Sequence, residues 1–109
     1  EGYSIAPGYA DADVVIVNPT HYAVALRWKR TDKSAPMLMA KGTDAIAARI
    51  REAAALAGVP IHSDPPTARA IHATVGVGAA IAPAQYRAVA VAIRFAEAMR
   101  TKAKQRGLR

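Results

Sequence analysis

The sequence predicts a single small α/β domain, about four strands in one sheet flanked by helices. Three observations carry this. Short apolar runs rich in β-branched residues, Val14–Val17 first among them, have the length of strands and not of helices. Stretches with helical spacing follow, and glycine or proline marks their ends. Strands interleaved with helices in one short chain indicate α/β layers. At 109 residues and 52% hydrophobic, the chain holds enough for one core and no more. Much of the apolar share is alanine, so the core is expected to be thin and close-packed rather than aromatic. No internal repeat and no second domain is expected.

In chain order, residues 1–12 read as an extended lead-in with a turn at Pro7-Gly8. Val14–Val17 and Tyr22–Trp28 read as strands, Lys29–Pro36 as a polar loop, and Met37–Ala40 as a third strand. Gly42-Thr43-Asp44 caps a helix running to about Ala57, with Ile46, Ile50, Ala53 and Ala57 along its inner face. Gly58 stands where a helix ends in the left-handed conformation. Val59–His62 is a fourth strand, and Asp64 with Pro65 and Pro66 opens a helix through Thr74. Pro83 starts the last helix, with Tyr86, Val89, Ala90 and Ile93 facing inward.

Composition excludes several classes. Without cysteine there is no disulfide and no thiolate metal site, which fits a reducing compartment. The most apolar stretch, Val75 to Ala84, is broken by Gly76, Gly78 and Pro83 and falls well short of the roughly 20 residues that span a bilayer. No signal peptide is expected. The net charge of +7 is uneven: Tyr86 to Arg109 carries seven basic residues and one acid, Glu97, against eight and seven in the rest. That end reads either as a surface for nucleic acid or acidic lipid, or as a solvated helix end whose cations suit the helix dipole. It lacks interleaved aromatics and any nucleic-acid motif, so the solvated reading is preferred and no nucleic-acid partner is expected.

The chemistry concentrates between the first two strands, at Asn18-Pro19-Thr20-His21. Asn-Pro is a turn signal, and most such pairs are only turns. The order nevertheless closes one reaction and leaves another open. Asparagine usually ages by attack of the next backbone nitrogen on its side-chain amide, but Pro19 has no N–H. The reverse attack remains, of the Asn18 amide nitrogen on its own carbonyl carbon, which closes a succinimide and expels the Pro19 nitrogen. Both partners are sluggish, so the fold must help: near-attack geometry is worth about 7–11 kcal/mol. Turn strain of about 1–3 kcal/mol adds roughly five- to a hundred-fold if it is released at the transition state. Asn18 then supplies nucleophile and electrophile, and Pro19 blocks the competing route and provides the leaving nitrogen. His21 is placed to carry a proton or orient the amide, and Thr20 to hold the turn through its hydroxyl.

The tetrapeptide between two strands resembles the self-cleaving motif of the FlhB/YscU family, the export-switch proteins of flagellar and injectisome type III secretion. The resemblance extends over nearly the whole chain: Ala12-Asp13-Val14-Val15, Tyr22-Ala23-Val24-Ala25-Leu26, Ala40-Lys41-Gly42, Arg49-Ile50-Arg51-Glu52, Val59-Pro60-Ile61, Pro65-Pro66-Thr67-Ala68-Arg69-Ala70 and Tyr86-Arg87-Ala88-Val89-Ala90. The block after the tetrapeptide favours the flagellar branch; the alternatives are the injectisome branch, or a non-cleaving structural or basic adaptor domain in which the Asn18-Pro19 bond stays intact. Glu1 to Tyr9 departs from the family by lacking a basic helical lead-in, so residues 1–12 read as a linker or a foreign remnant. The resemblance implies a self-cleaving cytoplasmic domain at 13–100, a basic flexible tail at 101–109, and a membrane-embedded parent protein of the bacterial inner membrane. It implies one cut per chain rather than enzymatic turnover, no cofactor, and a part in switching export substrate specificity. The implied partners are other export-gate components, a hook-length control protein, export substrates and the chain's own cleaved N-terminal fragment.

Other constellations are weak. His21, His62 and His72 lack ligand spacing, even with Asp64 beside His62, so no metal is expected. Gly76-Val77-Gly78 lacks the third glycine of a dinucleotide loop, and Ser34 and Ser63 form no triad pattern with the histidines. Trp28 is expected to pack across the sheet or shield its edge. Lys41 and Arg69 read equally as partner surface or as solvated structural residues.

Overall fold

A computed structural model describes residues 4–5 and 11–107 of the chain, with side chains from 11 onward. Its centre is the hairpin of β2 (Val14–Asn18) and β3 (Tyr22–Arg27), antiparallel with Val14 opposite Leu26 and Asn18 opposite Tyr22. β4 (Met37–Thr43) pairs with β3, and β5 (Ile61–Ser63) runs parallel to β2 on its other side. A two-residue strand, β1 (Ser4–Ile5), lies against Ala40 and Lys41, giving the order β1-β4-β3-β2-β5. The four expected strands are present, with β1 added at the edge. Pro7-Gly8 falls outside the described residues. β4 and β5 are joined through α1 (Asp44–Ala57), the crossover that parallel strands require.

Alternation along the strands sorts the core into two layers. Val14, Ile16, Val24, Leu26 and Leu38 face α2 (Pro65–Thr74) and α3 (Tyr86–Gly107), meeting Ala68, Ile71, Val89, Ala92 and Ile93. Val15, Val17, Ala23, Ala25 and Ala40 face α1. Burial on both faces is why β2 and β3 read as unbroken apolar runs. The α1 side is built from small residues and sits close to the sheet. The α2/α3 side takes the larger ones.

Several boundaries differ from expectation, each for a local reason. α1 buries Ala47, Ile50 and Ala54, not Ile46, Ala53 and Ala57 alongside Ile50. Alanines allow the helix to approach the sheet closely, while Ile46 lies half-buried over Gly42, where a Cβ would come within 2.2 Å of the Ile46 Cγ2. β4 therefore extends to Thr43, pairing Gly42 with Ala23. β3 ends at Arg27, because the Trp28 N–H turns aside to donate to the buried Asp13 carboxylate at 2.8 Å. The Trp28 ring packs against the α2/α3 layer, and its indole N–H donates to the Ser34 carbonyl at 3.0 Å. β5 starts two residues late because Val59 is used to end α1: its N–H donates to Ala54 O at 2.8 Å past Gly58, whose φ is 75°. A 3₁₀ turn, Pro83–Gln85, precedes α3, which buries Val89, Ala92, Ile93 and Ala96. Tyr86 stays exposed, and Ala90 is only half-buried. The helix continues through 101–107, all exposed.

Candidate functional site

The tetrapeptide is the turn of the β2–β3 hairpin. The last residue of β2, Asn18, is half-buried, and Pro19, Thr20 and His21 are exposed at the tip. The His21 N–H donates to the Asn18 carbonyl oxygen at 2.8 Å, closing a four-residue turn with Pro19 in its second position, where a proline's fixed φ suits the geometry. Neither Pro19 nor Thr20 has a positive φ, which makes the bend type I-like and leaves the chain no glycine to relax through. The hydrogen bond falls on the carbonyl that a succinimide closure would attack. A donor there polarises the C=O and meets the negative charge that grows on its oxygen. Sequence reasoning considered the His21 imidazole and missed this backbone contribution.

Both limbs of the turn are held. On the near side, β2 is hydrogen-bonded to β3 and β5, and the Asp64 N–H donates to Val17 O at 3.0 Å, one residue before Asn18. Asp64 also caps α2: its carboxylate accepts the Thr67 hydroxyl at 2.7 Å and the Thr67 N–H at 3.4 Å. On the far side, the His21 carbonyl accepts the Asp44 N–H at 3.0 Å. Asp44 has φ 47°, so among the described residues it is the non-glycine held in the left-handed region, a strained backbone next to the turn. Its carboxylate Oδ1 lies 3.7 Å from His21 Nδ1, an exposed pair that solvent screens. Asp44 was read as a helix cap; nothing in its local sequence shows that β4 delivers it beside His21.

Beyond the turn, the Tyr22 ring packs on the His72 ring with centroids 5.0 Å apart. Lys41 Nζ donates to the carbonyls of His72 and Val75, each at 2.9 Å, closing the C-terminal end of α2. This gives Lys41 a structural role. Burial, and then the Lys41 charge, push the His72 imidazole below its ordinary pKa of 6.5. The other histidines are apart: His62 packs on Phe95 at 5.0 Å. Among the described residues no His, Cys, Asp and Glu side chains cluster as a metal site. None of the described helices is long and apolar enough to cross a membrane.

Asn18, His21, Tyr22, Thr43, Asp44 and Arg69 border a shallow hollow of about 410 Å³. Of the sequence-predicted residues it includes Asn18 and His21, while Pro19 and Thr20 form the tip of the turn. A second groove of about 480 Å³ lies between the β3–β4 loop and α3, bordered by Trp28, Ala35, Pro36, Tyr86 and Ile93. It shares no residue with the turn.

Comparison with known proteins agrees with the overall fold. A family model described as the FlhB HrpN YscU SpaS Family matches residues 6–96. The flagellar biosynthetic protein FlhB of Yersinia enterocolitica is 42% identical over 97 residues, 89% of this chain and 25% of its own length. The hypersensitivity response secretion protein HrcU of Ralstonia nicotianae is 48% identical over 63 residues, 58% of this chain and 18% of its own. The crystal structure of the cytoplasmic domain of FlhB from Shewanella putrefaciens superposes with a TM-score of 0.81 at 38% identity, covering 93% of this chain and 78% of that one. The chain spans about a quarter or less of the length of these curated relatives. A match over residues 6–96, with relatives among flagellar biosynthetic and hypersensitivity response secretion proteins, makes this chain a member of the FlhB/YscU family of type III export-apparatus proteins.

Proposed function

We propose that this chain is the cytoplasmic domain of a flagellar export-apparatus protein of the bacterial inner membrane, and that it cuts itself once, between Asn18 and Pro19. The observation that carries the reading is the closed turn, in which the His21 N–H meets the carbonyl oxygen of the one residue that can attack itself. Asn18 Nδ2 adds to its own carbonyl carbon, the oxygen gains charge against that N–H, and the Pro19 nitrogen leaves with a proton. The His21 imidazole, exposed beside the turn, takes the amide proton or returns it to the leaving nitrogen. Thr20 stabilises the bend. The cut frees Pro19 to Tyr22 to open and alters the surface that export substrates, gate components and a hook-length control protein meet. That change serves the switch in export specificity.

The similarity to HrcU favours, as a second reading, the same chemistry in an injectisome. The test is mass spectrometry of denatured protein: two pieces, residues 1–18 and 19–109, are expected, and Asn18→Ala should give one intact chain with the same fold. A cut that persists in Asn18→Ala without protease would overturn cyclisation. An intact wild-type chain would overturn self-cleavage altogether.

A further inference from the structure

We propose that the hollow beside the cut is a carboxylate-binding site in which Arg69 holds the new chain end at residue 18, an inference that rests on the self-cleavage reading above. The chemistry creates the ligand. Asn18 Nδ2 bonds to its own carbonyl carbon, the bond to Pro19 breaks, and the amide proton passes to the Pro19 nitrogen. One water then opens the succinimide. Whichever ring bond it breaks, residue 18 keeps one carboxamide and gains one carboxylate, and the proton released is taken up by the Pro19 amine. The cut thus places a new anion at the end of β2 and a new cation at Pro19, where the intact chain carried neither.

The hollow is already polarised for that anion. Its lining holds one acid and one guanidinium, Asp44 and Arg69, of opposite sign. Arg69 arrives from α2, whose capping residue Asp64 is tied to β2 through its N–H on Val17 O. Its neighbours Ala68 and Ile71 are fully buried in the layer against β2 and β3, while Arg69 itself is exposed and borders the same hollow as Asn18. Among the described residues Arg69 makes no ion pair, so its guanidinium is uncommitted before the cut. A guanidinium presents paired N–H donors that match a carboxylate, which lysine does not. Asp44 repels the same carboxylate and so directs it toward Arg69. The arrangement resists loss of residues 1–18 after cleavage by gripping the end that cleavage makes.

The test uses the cut protein, equilibrated with equal amounts of two synthetic, mass-labelled peptides of residues 1–18, one ending in the free carboxylate and one in the amide. Native mass spectrometry reads which peptide the remainder of the chain retains. The acid is expected to be retained about three- to ten-fold better, a range set by a charge-assisted pair weakened by solvent exposure. The preference should shrink with salt, fall to about one in Arg69→Gln, and return in part in Arg69→Lys. Equal retention of acid and amide by the wild-type protein would overturn the inference, and this arm needs no variant to fold. An undiminished preference in Arg69→Gln would assign the carboxylate to another group and also overturn it. A chain that stays intact overturns self-cleavage and this inference together. A cut chain that does not discriminate overturns only this one.

Discussion

Ile16 offers the sharpest check on how the piece released by the proposed cut would be held, because it lies within residues 1–18 and its side chain is fully buried. It occupies the middle of β2, between β3 and β5, and points into the layer formed with Ile71, Val89 and Ile93. Removing its outer carbons leaves a cavity that neighbours on three elements cannot all close, so Ile16→Ala should cost about 2–5 kcal/mol. The same contacts serve two equilibria. In the uncut Asn18→Ala chain the loss appears in unfolding, and in the cut protein it appears in dissociation of residues 1–18. Converted at about 1.4 kcal/mol per decade, the second amounts to roughly thirty- to several-thousand-fold weaker retention. Urea unfolding of the uncut background gives the first quantity. A dilution series on size exclusion gives the second, with the unsubstituted cut protein expected to elute as one species. The two losses should agree within a few tenths of a kcal/mol. Weakened retention with unchanged unfolding, or the reverse, would refute the view that β2 keeps one environment before and after the cut. No effect on either would refute the register that points Ile16 at α2 and α3.

Three further outcomes are expected. In a time course of fragment appearance after refolding, His21→Ala should slow cleavage about 10²–10⁴-fold without abolishing it; equal rates for the two proteins would leave His21 no part in proton transfer. Because the folded state holds His72 below its ordinary pKa, the unfolded chain takes up that proton first as pH falls. Stability in the Asn18→Ala background should therefore be full above the unfolded value of 6.5 and decline as pH drops through it toward the lower folded value, a slope that His72→Gln removes in urea titrations. Gly58→Ala should lower the urea midpoint by the equivalent of about 1–2 kcal/mol, since φ 75° strains any L side chain there, although nothing lies within 4 Å of the added Cβ.

Much of the fold and part of the site was legible in the residues themselves, because it depends on neighbours along the chain. Pro19 forces a bend and removes the competing nucleophile wherever it sits, Gly58 ends a helix through its own backbone freedom, and Asp64-Pro65-Pro66 starts one with its own carboxylate. The two apolar runs around Asn18 announced a hairpin. Alternation could not show which face meets which helix, because both faces are buried and periodicity then carries no sign. The phase of α1 was misjudged for a related reason: its larger side chains suggested one stripe, while close approach to a sheet of Ala23, Ala25 and Ala40 selected the alanines. Only the tertiary structure decided the company around the turn. Asp44 comes from the start of α1, just past β4, and Arg69 from α2, each brought in by strand pairing and helix packing across long stretches of chain. The reaction proposed for residues 18 and 19 therefore rests on adjacent covalent chemistry, whereas the charges that surround the turn were set by where the sheet places distant segments.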